Sequence, residues 1–358
     1  MAIITYNRLF LFGPIILACI TLVILIKFKI RHPFWDKQPV MRVTALEIPG
    51  VIGMAPIFNI KLKSGYKLLI NNYPLLKIKT FLEDNFSNNY NINEDYLNNI
   101  ISKPGSHNIT LLKDGKIIGF IHSEPIDIMI YNSMVKFRYV DYLCIHETHR
   151  NNYMATLLIA AVIKLNNRRQ PIMFKKDYSK LPYTPFISTA YFIKDIRKLN
   201  PGKVKNIKKL TPFNFYKYLK YTNTLLNRFH MRKPYTKAEF FEVFLDKCIM
   251  DFIIIENQNG LKTIIIGKKN IYTQHGIILN CFEIDIILGE LRYIKDVDKC
   301  LSNHLKSLGY NYICIPAIGS NIKFIKDNEY KINSRVYYYT YNYNIPNILP
   351  NECALNIN

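Results

Sequence analysis

The chain has 358 residues, 49% of them hydrophobic, and a formal net charge of +22. Its seven cysteines are odd in number and scattered, with no CxxC pair, which excludes a zinc site and suits reduced thiols in a cytosolic setting. The charge admits nucleic acid, an anionic membrane or an anionic ligand. The basic residues are spread along the chain, however, and Lys, Asn, Ile and Tyr are all abundant, a pattern that also fits coding bias toward A and T. A basic face against a membrane is expected; nucleic acid is not.

Near its start lies an uncharged run, "LFLFGPIILACITLVILI", Leu9 to Ile26. At 1.5 Å per residue it reaches about 27 Å, enough for a thin bilayer. A cleaved signal would need small residues next, and "KFKIRHPFW" follows instead. The expectation is a membrane anchor over residues 1–31, with its helix at about 9–26. Arg8 precedes the run and Lys27, Lys29 and Arg31 follow it, so the main domain is expected to face the cytosol as a single-pass, membrane-anchored protein. The linker "RHPFWDKQPV" (31–40) holds the only tryptophan, which by itself reads as an aromatic anchor at a membrane surface.

An irregular region follows at 41–66, with Pro49, Gly50, Gly53 and Pro56. "PLLKIKTFLEDNF" (74–86) has the apolar spacing of an amphipathic helix. "NITLLKDGKIIGFIHSEPI" (108–126) reads as a hairpin turning at Asp114-Gly115. "MVKFRYVDYLCIH" (134–146) reads as a strand, and "NNYMATLLIAAVIKLNN" (151–167) as a helix with a wide apolar face.

The second half repeats this order. A helix is expected at 211–229, a hairpin at 251–267 turning at Asn259-Gly260, a strand or two at 276–288, and a helix at 294–309 ended by Gly309. The two turn glycines, 115 and 260, and the two later helices, starting near 151 and 294, are separated by nearly equal offsets. That agreement argues for a duplicated α/β unit, with "NPGK" (200–203) as the joint. The expected halves are 32–200 and 201–358. Helix, hairpin, strand and helix in that order is the plan of the GNAT acyltransferase fold. There, unpaired amides at the start of the central helix favour a diphosphate.

Specific motifs narrow the class. "FWDKQPV" (34–40) resembles the FWxTQPV motif of the glycylpeptide N-myristoyltransferases. "VDYLCIHETHRNNYMATLLI" (140–159) resembles that family's strand, basic loop and helix, whose core reads NFLCVH. "KLPYTPFISTAYF" (180–192) is similar to its LPxPvgtcrYW segment, while "FIIIENQNG" and "YYYTYNYN" match weaker C-terminal stretches. The resemblance runs from about residue 34 to 358. It implies an α/β fold of two tandem GNAT-like halves with a saddle-like mixed sheet, here behind one transmembrane helix.

By position, the resemblance implies that Phe34 and Trp35 cover the bound acyl-CoA. The backbone amides of Tyr142 and Leu143 form the oxyanion hole, Cys144 and Ile145 line the CoA channel, and Arg150, Asn151, Tyr153, Met154 and Ala155 surround the CoA phosphate. Phe86 and Tyr191 meet the peptide. The general base is the α-carboxylate of Asn358, since a positioned carboxylate helps the neutral form of the acceptor amine appear. Cys144 lies in a buried-looking strand, so no acyl-cysteine intermediate is expected. The eight histidines show no metal spacing; His146 and His149 lie three apart, but in a loop at the CoA site, and "LLKDGK" lacks the spacing of a P-loop. The implied activity transfers myristate from myristoyl-CoA to proteins with an N-terminal glycine, with no prosthetic group and no metal, in a protein expected to be monomeric. A large DNA virus would suit the coding bias.

The chain departs from the family at several points. Lys37 replaces Thr. The phosphate loop lacks basic residues at Asn152 and Tyr153, and Tyr153 stands where the GNAT pattern R-x-x-G-x-A has glycine. Phe86 replaces a Tyr, Ile193 a His, and 314–321 lacks an acidic residue. Two alternatives follow: an impaired relative that binds acyl-CoA or myristoylated proteins without turnover, and a GNAT acetyltransferase.

Overall fold

The computed structural model describes all residues except 1, 42–47, 87–89, 151, 200–206, 257–259, 261, 275–276, 346–347 and 356–358, and the side chains of 2–13, 28, 90 and 272–274 also lie outside the description. It is a mixed α/β molecule built on one large sheet, of 15 strands among the described residues.

Residues before 200 give an antiparallel series, Tyr66–Ile70, His107–Lys113, Lys116–Ile130 and Ser133–Ile145. Asp114 (φ 49°) and Gly115 (φ 80°) both turn left-handed, the geometry that a two-residue hairpin needs. Ser133–Ile145 then leads through the helix Met154–Leu165 to a parallel partner, Ile172–Asp177. Leu158, Ala161 and Val162 of that helix share a core with Ile109, Leu111, Ile118, Ile121 and Ile145.

Residues after 206 repeat the plan. Asp251–Glu256, Lys262–Gln274 and Ile277–Gly289 are antiparallel, and the helix Ile294–Ser307 leads to a parallel strand, Tyr312–Pro316. Ile294, Val297, Leu301 and Leu305 recur at helical spacing and bury against Ile253, Ile313 and Phe324. The helix closes with Gly309 at φ 84° and with Tyr310 N–H donating to the Leu305 carbonyl (3.0 Å).

The two halves interlock. Lys331–Tyr341, from the end of the chain, inserts between Ile172–Asp177 and Ile187–Asp195, while Ile187–Asp195 pairs in turn with Tyr312–Pro316. The shared core, with Phe137, Tyr139, Met173, Ile187, Val336 and Tyr338, therefore draws on both.

The N-terminal segment is helical, Ala2–Arg31, but among the described residues no helix is long and apolar enough to cross a membrane. This overturns the expected transmembrane helix at about 9–26, and with it the single-pass anchor and the membrane-anchored, cytosol-facing placement.

Candidate active site

The parallel pair between Ser133–Ile145 and Ile172–Asp177 is short. It joins Arg138 to Ile172, Tyr139 to Met173 and Val140 to Phe174, and then the strands part. At the parting, the ladder to the hairpin strand slips. His122 faces Asp141 and Phe120 faces Cys144, so Tyr142 and Leu143 bulge opposite Ile121 alone. Tyr142 takes φ 53°, and its N–H donates to Asp141 Oδ1 at 2.8 Å. The Phe86 ring lies 5.6 Å from that of Tyr142. Cys144 is buried, and burial pushes its thiol up to about 12 against the pull of Arg150, so the thiol stays protonated at neutral pH.

Beside the bulge, the helix Met154–Leu165 starts at Tyr153, which holds φ 59° and supplies no side-chain cap, with no acidic residue in the first turn. An uncapped helix start of this kind, with its free amides and positive dipole end, favours an anion. The departure at residue 153 is thus one of residue type, since tyrosine takes the left-handed backbone that glycine takes easily. Arg150 folds back on its own loop: Nε donates to the Ile145 carbonyl (3.1 Å) and a terminal nitrogen to the Asn85 carbonyl (3.0 Å). Asn151 and Asn358 lie outside the described residues.

The tryptophan linker is part of this half. The short helix Pro33–Asp36 sets Phe34 against Phe58 (6.0 Å between rings) and Trp35 against Tyr183 (5.0 Å). Trp35 packs on the same core as Met154, Ala155 and Ile145. Gln38 holds the linker down, donating to the Phe34 carbonyl (3.2 Å) and accepting from Tyr341 Oη (2.8 Å).

A polar cluster that sequence reasoning missed lies where the halves meet. Tyr191 Oη donates to Glu283 Oε1 (3.1 Å), and Asn270 bonds the other oxygen. Burial opposes ionisation of Glu283, but Lys268, Lys175 and these hydrogen bonds outweigh it and hold the carboxyl below its usual range. Burial likewise opposes the charge on Lys175, yet Tyr139, Tyr191, Asp141 and Glu283 raise its pKa well above the ordinary lysine value. These residues come from five strands, and no local spacing could have grouped them. Among the described residues, no group of three or more His, Cys, Asp or Glu is placed to hold a metal ion.

Comparison with known proteins gives a fold and a family likeness. Residues 59–179 match the family described as Myristoyl-CoA:protein N-myristoyltransferase, N-terminal domain. The structure is similar to that of N-myristoyltransferase from Saccharomyces cerevisiae with bound myristoyl-CoA, with a TM-score of 0.74 at 14% identity, covering 91% of this chain and 99% of that one. The fold is therefore the mixed α/β fold of these transferases, consistent with a GNAT-like plan. In sequence, the chain is 23% identical over 288 residues to glycylpeptide N-tetradecanoyltransferase 2 of Bos taurus (66% of this chain, 57% of that protein). It is 26% identical over 215 residues to glycylpeptide N-tetradecanoyltransferase of Plasmodium falciparum (53% and 50%). The chain is thus similar to the N-myristoyltransferase family in its N-terminal part and in fold. It spans little more than half the length of these two relatives.

Proposed function

We propose that this chain is a glycylpeptide N-myristoyltransferase, transferring the acyl group of myristoyl-CoA to the N-terminal glycine of proteins by direct attack of the amine on the thioester. The observation that carries this reading is the parted strand pair, with its bulge at Tyr142 and Leu143, beside an uncapped helix start in a chain similar to this family. On this reading the amides of Tyr142 and Leu143 polarise the thioester carbonyl. Cys144 and Ile145 line the channel. Phe34 and Trp35 cover the acyl-CoA, and Arg150, Asn151, Tyr153, Met154 and Ala155 surround its phosphate. Phe86 and Tyr191 meet the acceptor peptide, and the α-carboxylate of Asn358 is the family's base. The molecule is two tandem GNAT-like halves, 32–200 on the donor side and 201–358 on the acceptor side.

The test incubates the full chain with myristoyl-CoA and a panel of glycine-initiated peptides, with acetyl-CoA as competitor, and reads products by mass. The expected product is the myristoyl amide on the α-nitrogen. Binding of myristoyl-CoA with no transfer to any peptide, or preference for acetyl-CoA, overturns the proposal.

A further inference from the structure

The helix Phe215–Leu226 lies on one face of the strands Asp251–Glu256 and Lys262–Gln274, burying Leu219, Leu225 and Leu226 with Ile254, Ile264 and Ile266. The helix Ile294–Ser307 covers the opposite face, on Ile253, Ile255 and Ile265. These strands lie near the far end of the sheet, with only Ile207–Lys209 outside them among the described strands of that path. From Ile172–Asp177, beside the proposed donor site, the path to Lys262–Gln274 crosses five strand spacings, about 24 Å at 4.8 Å each. Between the first helix and the strand hairpin is an open cavity of about 420 Å³, within the size range of small-ligand sites. Lys217, Tyr218, Lys220, Tyr221 and Thr224 line it from the helix, at spacings that share one helix face, and Lys262 lines it from the strand. Its floor is fixed. Tyr218 is buried, Lys262 Nζ lies over the Tyr218 ring at 5.7 Å, and the Lys262 carbonyl accepts from Tyr221 Oη (3.4 Å) and from Glu290 N–H (3.2 Å). The charges around it do not balance. Lys217 and Lys262 are within hydrogen-bonding reach of each other, and Lys262 is held below the ordinary lysine value by burial first and by Lys217 next. Glu256, the carboxylate paired with Lys262 in strand register, is already engaged by the ammonium of Lys208. Among the described residues, Lys217, Lys220 and Lys262 form no ion pair.

We propose that this cavity binds a phosphate-bearing ligand of two or more negative charges, held by the ammonium groups of Lys217, Lys220 and Lys262. A lysine is a compact charge with three rotatable donors, which suits phosphate oxygens without a fixed planar fit. Each ammonium that meets a phosphate oxygen makes a charge-assisted hydrogen bond, and a bound dianion offsets the mutual repulsion of Lys217 and Lys262. The cavity has room beyond a single phosphate, so the ligand is a phosphate ester or a short chain of phosphates. A soluble ester and the phosphorylated headgroup of a lipid share this chemistry. The site does not depend on the acyl-transfer reading, since it lies on a different part of the sheet from the proposed donor site.

The test titrates the full chain with sodium triphosphate at low salt, where screening is weak, with and without excess myristoyl-CoA. It compares the parent with two double variants. Lys217→Gln with Lys262→Gln removes charge from the cavity; Lys295→Gln with Lys299→Gln removes the same charge from exposed positions on the helix of the opposite face. None of the four side chains is buried, so both variants should keep the parent's urea midpoint. The cavity variant is expected to bind triphosphate about tenfold or more weakly, and the opposite-face variant to stay within about twofold of the parent. Myristoyl-CoA should leave the affinity unchanged. Phosphatidylcholine vesicles with and without phosphatidylinositol 4-phosphate separate the two sources. Vesicle binding that needs the phosphorylated lipid, yields to triphosphate and is lost in the cavity variant supports the proposal and assigns a headgroup. Triphosphate binding lost in the cavity variant, with no vesicle binding by the parent, supports it and assigns a soluble ester. Equal weakening in both variants overturns the proposal, because net charge alone would then account for binding. Loss of triphosphate binding on adding myristoyl-CoA overturns it by placing the anion at the donor site, and so does a parent that binds no triphosphate.

Discussion

The two parallel strand pairs share a backbone plan and differ in what fills the gap beyond it. In the first, Ser133–Ile145 with Ile172–Asp177, the ladder bulges at Tyr142 and Leu143, the strands part after Val140, and the side chain that answers the exposed backbone is Asp141. In the second, Ile277–Gly289 with Tyr312–Pro316, the register slips between Ile266 and Gly267, and pairing stops after Glu283. There a fully buried side chain stitches the gap. Asn321 Nδ2 donates to the carbonyls of Asp285 (3.0 Å) and Pro316 (3.1 Å), its Oδ1 accepts from Ile287 N–H (2.8 Å), and Ser320 Oγ bonds the Ile287 carbonyl. Two like strand pairs thus differ, one parted and one stitched, and the difference is an asparagine that bonds both strands.

Removing that asparagine is the strongest way to break the comparison. Asn321→Leu removes three buried hydrogen bonds to the backbone, although the Pro316 carbonyl keeps Ile318 N–H (2.9 Å), so at roughly 0.5–1.5 kcal/mol per bond a loss of about 2 kcal/mol or more is expected in urea unfolding. A loss below about 1 kcal/mol would mean that the second gap is held by packing alone and that Asn321 does not distinguish the halves.

The halves also differ beside the bulge. His122 faces Asp141, whereas Gly267 holds the matching place opposite Ile284. A Cβ on Gly267 would lie 2.5 Å from the Glu283 carbonyl, so that half admits no side chain there, while the first half buries a whole imidazole. Burial, aided by Lys103, Arg138 and His107, lowers the pKa of His122 to about 3. Its Nδ1 bonds Asn108 Oδ1 (2.7 Å), and its Nε2 has no partner among the described residues. A histidine depressed on folding binds a proton only in the unfolded chain between its two pKa values. Its contribution is therefore present above the unfolded value of 6.5 and is lost as pH falls toward about 3. The expected loss is about 1.4 kcal/mol per pH unit in that window, read as Tm against pH. His122→Gln should flatten the curve between about pH 4 and 6, and parallel curves would place the acid sensitivity elsewhere.

These contrasts were unevenly legible in the chain. The hairpin at Asp114-Gly115 and the helices near 74, 151 and 294 announce themselves through turn residues and apolar spacing, and they fold within a few residues of the expected bounds. The stretch 276–288 forms one long strand, Ile277–Gly289. The interlock of Lys331–Tyr341 with Ile187–Asp195 has no local signature, because it depends on pairing between segments more than a hundred residues apart. The same holds for the cluster of Asp141, Lys175, Tyr191 and Glu283. Asp141 was readable as a residue in a motif, but its capping of the Tyr142 amide follows from the bulge, and a bulge is a mismatch between two strands that neither sequence displays alone. The N-terminal run misled in the opposite sense, since its composition pointed to a crossing that no described helix makes.

The smallest expected effect lies at the starts of the two central helices, both of which follow a tyrosine. Tyr153 accepts Leu157 N–H and Tyr293 accepts Val297 N–H, each at 3.0 Å, and neither side chain caps its helix. Their backbones differ: Tyr153 sits at φ 59°, Tyr293 at φ −110°. A Cβ in the left-handed region costs about 1–2 kcal/mol, while glycine costs about 0.5–1 kcal/mol in chain entropy. Tyr153→Gly should therefore gain up to about 1 kcal/mol, and Tyr293→Gly should lose about 0.5–1 kcal/mol, for the same atoms removed. Tyr153 is 79% exposed, so little packing is forfeited with its ring. The ring also stands at the helix start proposed to face the CoA phosphate, so Tyr153→Gly should tighten myristoyl-CoA binding by about threefold and Tyr293→Gly should leave it unchanged. Opposite signs in urea unfolding, with only the first variant changing affinity, would tie the anion site to the left-handed entry of the first half; equal losses in both would show that the tyrosine at 153 is held there by something other than its backbone.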